Sequence, residues 1–125
     1  LVVHGHDGLD EITIADKTLV AELHEGKIRE YEISPEKFGF QRSSLDSLRV
    51  DSPQSSQAML MAVLENKTGP ARDIVLLNAG AALYAANSAA DIGSGVALAR
   101  RVLENGSALE KVHEYIAATR RIASA

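Results

Sequence analysis

Three acidic side chains fall within five residues near the start of the chain: Asp7, Asp10 and Glu11, in the stretch LVVHGHDGLDE (1–11). Carboxylates so closely spaced are hard oxygen donors. Magnesium takes one or two protein carboxylates and completes its shell with water and substrate phosphate. Leu1, Val2 and Val3 start a short buried strand, and Gly5 and Gly8 bracket the polar turn that follows. A strand feeding a Gly-rich turn is where open α/β sheets place ligands. Asp10 and Glu11 are the candidate metal ligands. Neighbours on an extended strand point to opposite faces, so sharing one ion needs a turn here, and two ions are the other solution. Asp7 is a turn or supporting residue. His4 and His6 form a His-x-His pattern that invites zinc. His24 and His113 stand alone and carry no chemistry.

The elements that must position these groups are short. Ile12 to Ile14 reads as a β segment. Thr18 to Leu23 alternates, with Leu19, Ala21 and Leu23 on one face, and Ile28 to Ile33 returns after the turn at His24 to Lys27. Two alternating runs around a Gly-containing turn predict a β-hairpin. Ser34-Pro35 ends it, because Pro cannot donate to the ladder. Phe38 and Phe40 pin the following loop onto the core, and Leu45 and Leu48 mark at most a turn of helix.

Helices fill the rest. Ser52-Pro53 supplies an N-cap and a first-turn proline, and Ala58, Met59, Met61, Ala62 and Val63 follow at helical spacing. Gly69-Pro70 starts the second helix, through Ile74, Leu77, Ala81 and Tyr84. Its Gly80, costly inside a helix, marks a close approach to a neighbour. Within that helix Asn78 has two readings: it shapes a pocket from behind, or it bonds a buried loop carbonyl, which is the expectation. The third helix spans about 88–104 with a stripe of Ile92, Val96, Ala99 and Leu103. Ser107 and Glu110 form a capping-box pattern for the fourth, with Leu109, Val112 and Ile116 as its buried stripe. Arg100-Arg101 and Arg120-Arg121 sit late in their helices, where cations complement the dipole.

Composition sets the bounds. The 125 residues are 46% hydrophobic, with formal charge −4, 4% aromatics and no cysteine. The acidic balance disfavours a nucleic-acid surface, few aromatics disfavour single-strand stacking platforms, and disulfides are excluded. No apolar run reaches the ~18–20 residues that span a bilayer. No Ser/His/Asp or Cys/His constellation is apparent.

The wording HGHDGLDE (4–11) resembles the His-Gly-x-Asp-Gly-Leu-Asp-Glu signature of the anthranilate phosphoribosyltransferases. The resemblance continues through SPEKFGF (34–40), NKTGPARDIVLLNAGAALYAA (66–86) and IGSGVALARRVLENGSALEKV (92–112). Four blocks in register cover nearly the whole chain and fit the family's C-terminal portion. The resemblance implies a Mg2+-dependent cytoplasmic enzyme of tryptophan biosynthesis, carrying phosphoribose from phosphoribosyl diphosphate to the amine of anthranilate. It implies that Asp10 and Glu11 bind magnesium associated with that diphosphate. It also implies that His4 is structural and that His6 stands where other residues are accepted, which disfavours zinc.

The family's upstream helical domain, its Gly-rich phosphate loop and the anthranilate-holding residues have no counterpart in these residues. The chain starts mid-strand at Leu1, without Met. It is therefore expected to be a fragment, with 1–125 as the C-terminal part of an α/β phosphoribosyltransferase domain. Strands upstream of Leu1 are expected to complete the sheet and pair with Leu1 to Val3. Partners implied for the full-length protein are its N-terminal part and a second copy as a homodimer, with neither nucleic acid nor membrane. The alternatives are a related nucleoside phosphorylase and a non-catalytic, nucleic-acid-binding relative of the transferase.

Overall fold

The computed structural model describes residues 1–124 and is mixed α/β: strands first, helices after. Strands β1 (Val2–Gly5), β2 (Thr18–His24) and β3 (Lys27–Ile33) form an antiparallel sheet in the order β1-β2-β3. Helices α1 (Pro53–Leu64), α2 (Pro70–Ala85), α3 (Ile92–Glu104) and α4 (Ser107–Ala123) follow. Single 3-10 turns at Pro35–Phe38 and Leu45–Leu48 lie between the two halves.

The hairpin is the one the alternation predicts. Glu25 and Gly26 both have positive φ, 48° and 74°. That turn type matches the right-handed twist of the flanking strands. The alternating apolar trio of β2, however, is the outer set. Thr18, Val20 and Glu22 face the helices and are buried, while Leu19 and Leu23 are exposed. With Val2 and Ile28 they leave an apolar outer sheet face, on which Val2, Leu23 and Ile28 are each about 70% exposed. The expectation that Leu1 to Val3 has its ladder partners upstream is corrected at one edge. Val2, Val3, His4 and Gly5 pair antiparallel with Ala21, Val20, Leu19 and Thr18.

Ile12 to Ile14 is not a strand. All three residues are buried, but their backbone groups find separate partners in place of a ladder, the Ile14 carbonyl accepting from Ser43 N–H. Asn78 takes the N–H and C=O of Ile12, and the Thr18 hydroxyl takes the N–H of Thr13. β-branched residues fit this buried loop as well as they fit a strand, so their type alone misleads.

The core lies between the inner sheet face and α2–α3: Val20, Ile33 and Phe40 meet Leu76, Leu77, Val96 and Leu103. Helix α1 starts as expected, Ser52 and Ser55 forming a reciprocal capping box. Helix α3 starts later than residue 88, because Asp91 and Ser94 form a capping box there. Its predicted stripe is buried throughout. The capping box expected at Ser107 and Glu110 does not form. Gly106 at φ 79° precedes the helix, and Ser107 donates both its N–H and its hydroxyl to Asn105 Oδ1.

The buried stripe expected on α4 is also corrected: Leu109 and Val112 are half-buried, and Ile116 is exposed. A groove of about 520 Å³, lined by Leu60, Val75, Ala79, Leu83, Val102 and Ala108 among others, runs between the helices. Among the described residues no helix is long and apolar enough to cross a membrane.

Candidate metal centre

The acidic stretch leaves β1 through a closed turn. Gly5 N–H donates to Leu9 O (2.8 Å) and Gly8 N–H to Gly5 O (2.9 Å), with Gly8 at φ 91°. Gly5 has a second reason to lack a side chain. A Cβ there would lie 2.5 Å from Asp7 Oδ1 and 3.2 Å from Thr13 Cβ. Asp7 fills that space and ties the turn across itself. Its Oδ2 accepts from Thr13 Oγ1 at 2.5 Å and its Oδ1 from Leu9 N–H at 3.2 Å. Its role is to shape the turn.

Asp10 and Glu11 sit at the bend between two anchors. Leu9 is held on one side through its carbonyl and N–H. On the other, Ile12 N–H donates to Asn78 Oδ1 and Asn78 Nδ2 donates to Ile12 O, both at 2.9 Å. Both carboxylates are exposed, and among the described residues neither is tied up in a hydrogen bond or ion pair. Two free carboxylates on a fixed loop fit the donor chemistry of magnesium, which needs no more protein ligands than that. Among the described residues no three His, Asp or Glu side chains gather to hold a metal by themselves. A zinc site at His4 and His6 has no support from this geometry. His6 Nε2 lies 3.0 Å from Glu32 Oε1 instead, while His4 points outward beside Leu19.

Residues 1–109 match the family described as glycosyl transferase family, a/b domain. The chain belongs to this family. Within the glycosyl transferase family, it is 55% identical over 98% of its length to the anthranilate phosphoribosyltransferase of Stenotrophomonas maltophilia (strain R551-3). It spans about 36% of that curated relative.

Among solved structures, the anthranilate phosphoribosyltransferase from Thermus thermophilus superposes with a TM-score of 0.84 at 36% identity. That match covers 94% of this chain and 35% of the other. An anthranilate phosphoribosyltransferase variant from Saccharomyces cerevisiae, with Mg bound, gives 0.80 at 25% identity, over 91% of this chain and 33% of that one.

A second polar centre, which sequence reasoning missed, joins the hairpin to α2. Glu22 lies on the inner sheet face, 8% exposed, and accepts a hydrogen bond from the Tyr84 hydroxyl. The signal was present in the alternation: Glu22 is in phase with Val20, on the face opposite Leu19, Ala21 and Leu23. The Tyr84 hydrogen bond holds the Glu22 carboxyl below its ordinary range against the opposing effect of burial. Tyr31, Arg29 and His24 add to the lowering. Burial first, and then the Glu22 carboxylate, push the Tyr31 hydroxyl up to about 12.

A carboxyl whose pKa is depressed by folding contributes its full stability above the ordinary glutamate value. That contribution is lost as pH falls through the folded-state value. Tyr84→Phe is therefore expected to lower Tm at neutral pH and to flatten the fall in Tm as pH drops through and below the ordinary glutamate range. Thermal melts by circular dichroism across that range test it, and an acid limb as steep as wild type would refute the assignment.

Proposed function

We propose that the intact polypeptide carrying this segment transfers a phosphoribosyl group from phosphoribosyl diphosphate to the amine of anthranilate. Asp10 and Glu11 hold the Mg2+ that the reaction uses. The observation that carries this reading is the pair of free carboxylates on a doubly anchored bend, within a segment whose relatives are named anthranilate phosphoribosyltransferase. In the reaction the bond from the ribose C1 to the diphosphate oxygen breaks, and diphosphate leaves with the electron pair. The amine forms the new C1–N bond and gives up a proton. Its nitrogen is itself the nucleophile, so no serine or cysteine is required of the chain. Asp10 and Glu11 place two exposed negative charges on one bend and would hold the cation there. The chemistry such a cation would supply is Lewis-acid neutralisation of the leaving group.

Because the segment spans about 36% of the relative's length, the remaining partners belong to the same proposal. The N-terminal part of the polypeptide supplies the phosphate loop and the anthranilate-holding residues, and it covers the apolar sheet face. The intact protein acts as a cytoplasmic homodimer.

The test incubates the purified intact polypeptide with phosphoribosyl diphosphate, anthranilate and Mg2+. One diphosphate is expected per anthranilate consumed, with no turnover when chelator replaces the metal. The 125-residue chain alone is expected to show no transfer. Phosphate-dependent cleavage of a nucleoside, with anthranilate inert, would replace this reading by that of a phosphorylase.

A further inference from the structure

We infer that Asn78 is a positioning residue for the metal-binding carboxylates: its side-chain amide clamps the peptide groups of Ile12 and thereby sets where Glu11 and Asp10 stand. The inference rests on the reading of those two acids as magnesium ligands.

The clamp is unusual in its completeness. One amide occupies both the N–H and the C=O of Ile12, each at 2.9 Å, and spends its second N–H on Ile74 O at 3.0 Å within its own helix. Both donors of the amide are used on carbonyls and its oxygen on an N–H, so only one orientation satisfies all three bonds. Asn78 thus does for Ile12 what a neighbouring strand would do, but from helix α2. Ile12 follows Glu11 directly, and successive Cα atoms are fixed about 3.8 Å apart. The Ile12 N–H shares its peptide plane with the Glu11 carbonyl, so a shift of that group also moves the Glu11 backbone.

The far side of the bend has its own tie at Leu9, bonded to Gly5 and Asp7. Only Asp10 and Glu11 lie between the two ties, and both point into solvent. Helix α2 is in turn locked against α3 and, through Tyr84 and Glu22, against the hairpin. The bend is thus tied to helix α2 by the Asn78 amide, beside the core packing of the Ile12 side chain. A carboxylate pair can use that arrangement. Partners that orient metal ligands from behind typically cost about 10–100-fold in metal affinity when removed.

A merely structural role would be to satisfy two buried backbone groups, and it predicts lost stability without a specific metal effect. The experiment uses the intact polypeptide and reads Mn2+ binding by electron paramagnetic resonance, without turnover. Asn78→Ala is compared with Leu77→Ala, its fully buried neighbour on α2, which removes core packing but touches no loop hydrogen bond. Asn78→Ala is expected to weaken Mn2+ binding about tenfold or more, and Leu77→Ala to leave it within about twofold despite an equal or larger fall in Tm. Should Asn78→Ala fail to fold, Asn78→Gln keeps the amide but displaces it by one methylene, and the same loss is expected.

Equal Mn2+ binding in the Asn78 and Leu77 variants overturns the inference. The underlying reading is checked in the same titration with Asp10→Asn and Glu11→Gln. If those two lose Mn2+ and the Asn78 variants keep it, the positioning role alone fails. If those two keep it, the metal reading fails and the inference goes with it.

Discussion

Gly95→Ala is expected to cost about 3 kcal/mol or more, at the upper end of what overpacking does, and so to remove a large part of a typical domain's stability. A Cβ at residue 95 would lie 2.1 Å from Gly80 O, 2.9 Å from its carbonyl carbon and 3.1 Å from its Cα. These are backbone atoms of α2, which cannot rotate aside. The only relief is for the two helices to part. The reverse contact is as tight: a Cβ at Gly80 would meet Val96 Cγ2 at 2.5 Å, its N at 2.6 Å and its Cα at 2.8 Å.

Parting would open the seam where Leu76, Leu77 and Ala81 pack beside Val96, Ala99 and Leu103. Gly93→Ala is the comparison. Its nearest obstacle is Asp91 Oδ1 at 3.4 Å, an ordinary contact. Removing a glycine's excess freedom from a helix is expected to gain about 0.5 kcal/mol. Denaturant midpoints of the intact polypeptide decide the matter. Gly80→Ala combined with Gly95→Ala should cost less than the sum of the two, since both relieve the same crossing. A Gly95→Ala midpoint equal to wild type would mean that the helices do not meet there.

That crossing shows what the amino-acid order reveals and what it hides. Gly80 inside an otherwise apolar helix could be read as a close approach, because nothing else offsets its helical cost. The order of residues does not reveal that Gly95 meets another helix, since that surface belongs to a different element. The same divide runs through the candidate site. The spacing of Asp7, Asp10 and Glu11 marks them as candidate metal ligands. It does not reveal that Asp7 turns inward to Thr13 while Asp10 and Glu11 stay free, which depends on the space left by Gly5.

Ile12 to Ile14 has strand-like residues and no strand, because Asn78, Thr18 and Ser43 answer its backbone groups one by one. Ser107 and Glu110 have the capping pattern, but Asn105 reaches Ser107 first. Local pattern located the elements. Partners at separations from 2 to 66 residues decided which polar groups stayed free.

Asp10→Asn and Glu11→Gln in the intact polypeptide are each expected to cut kcat/KM on the order of 100-fold at modest Mg2+. A metal at a developing leaving group contributes several kcal/mol, and about 1.4 kcal/mol is a factor of ten in rate. Stability should hardly change. Both side chains are exposed, and exposed substitutions of this kind stay within ~0.5 kcal/mol. Loss of activity with an unaltered Tm would therefore report on the ligand set and not on the fold.

Glu30→Gln, an exposed acid on β3, is the matched control for lost charge. Asp7→Asn is not, because it breaks the bonds to Thr13 and Leu9 that shape the turn. Magnesium titrations of rate add the number of ions. If one ion is shared at the bend, both variants should shift the half-saturating Mg2+ in parallel, and excess metal should rescue them alike. If each carboxylate holds its own ion, the shifts should differ and excess metal should restore one variant better than the other. Wild-type magnesium dependence in both variants would leave Asp10 and Glu11 as parts of a solvated turn and would sink their assignment as metal ligands.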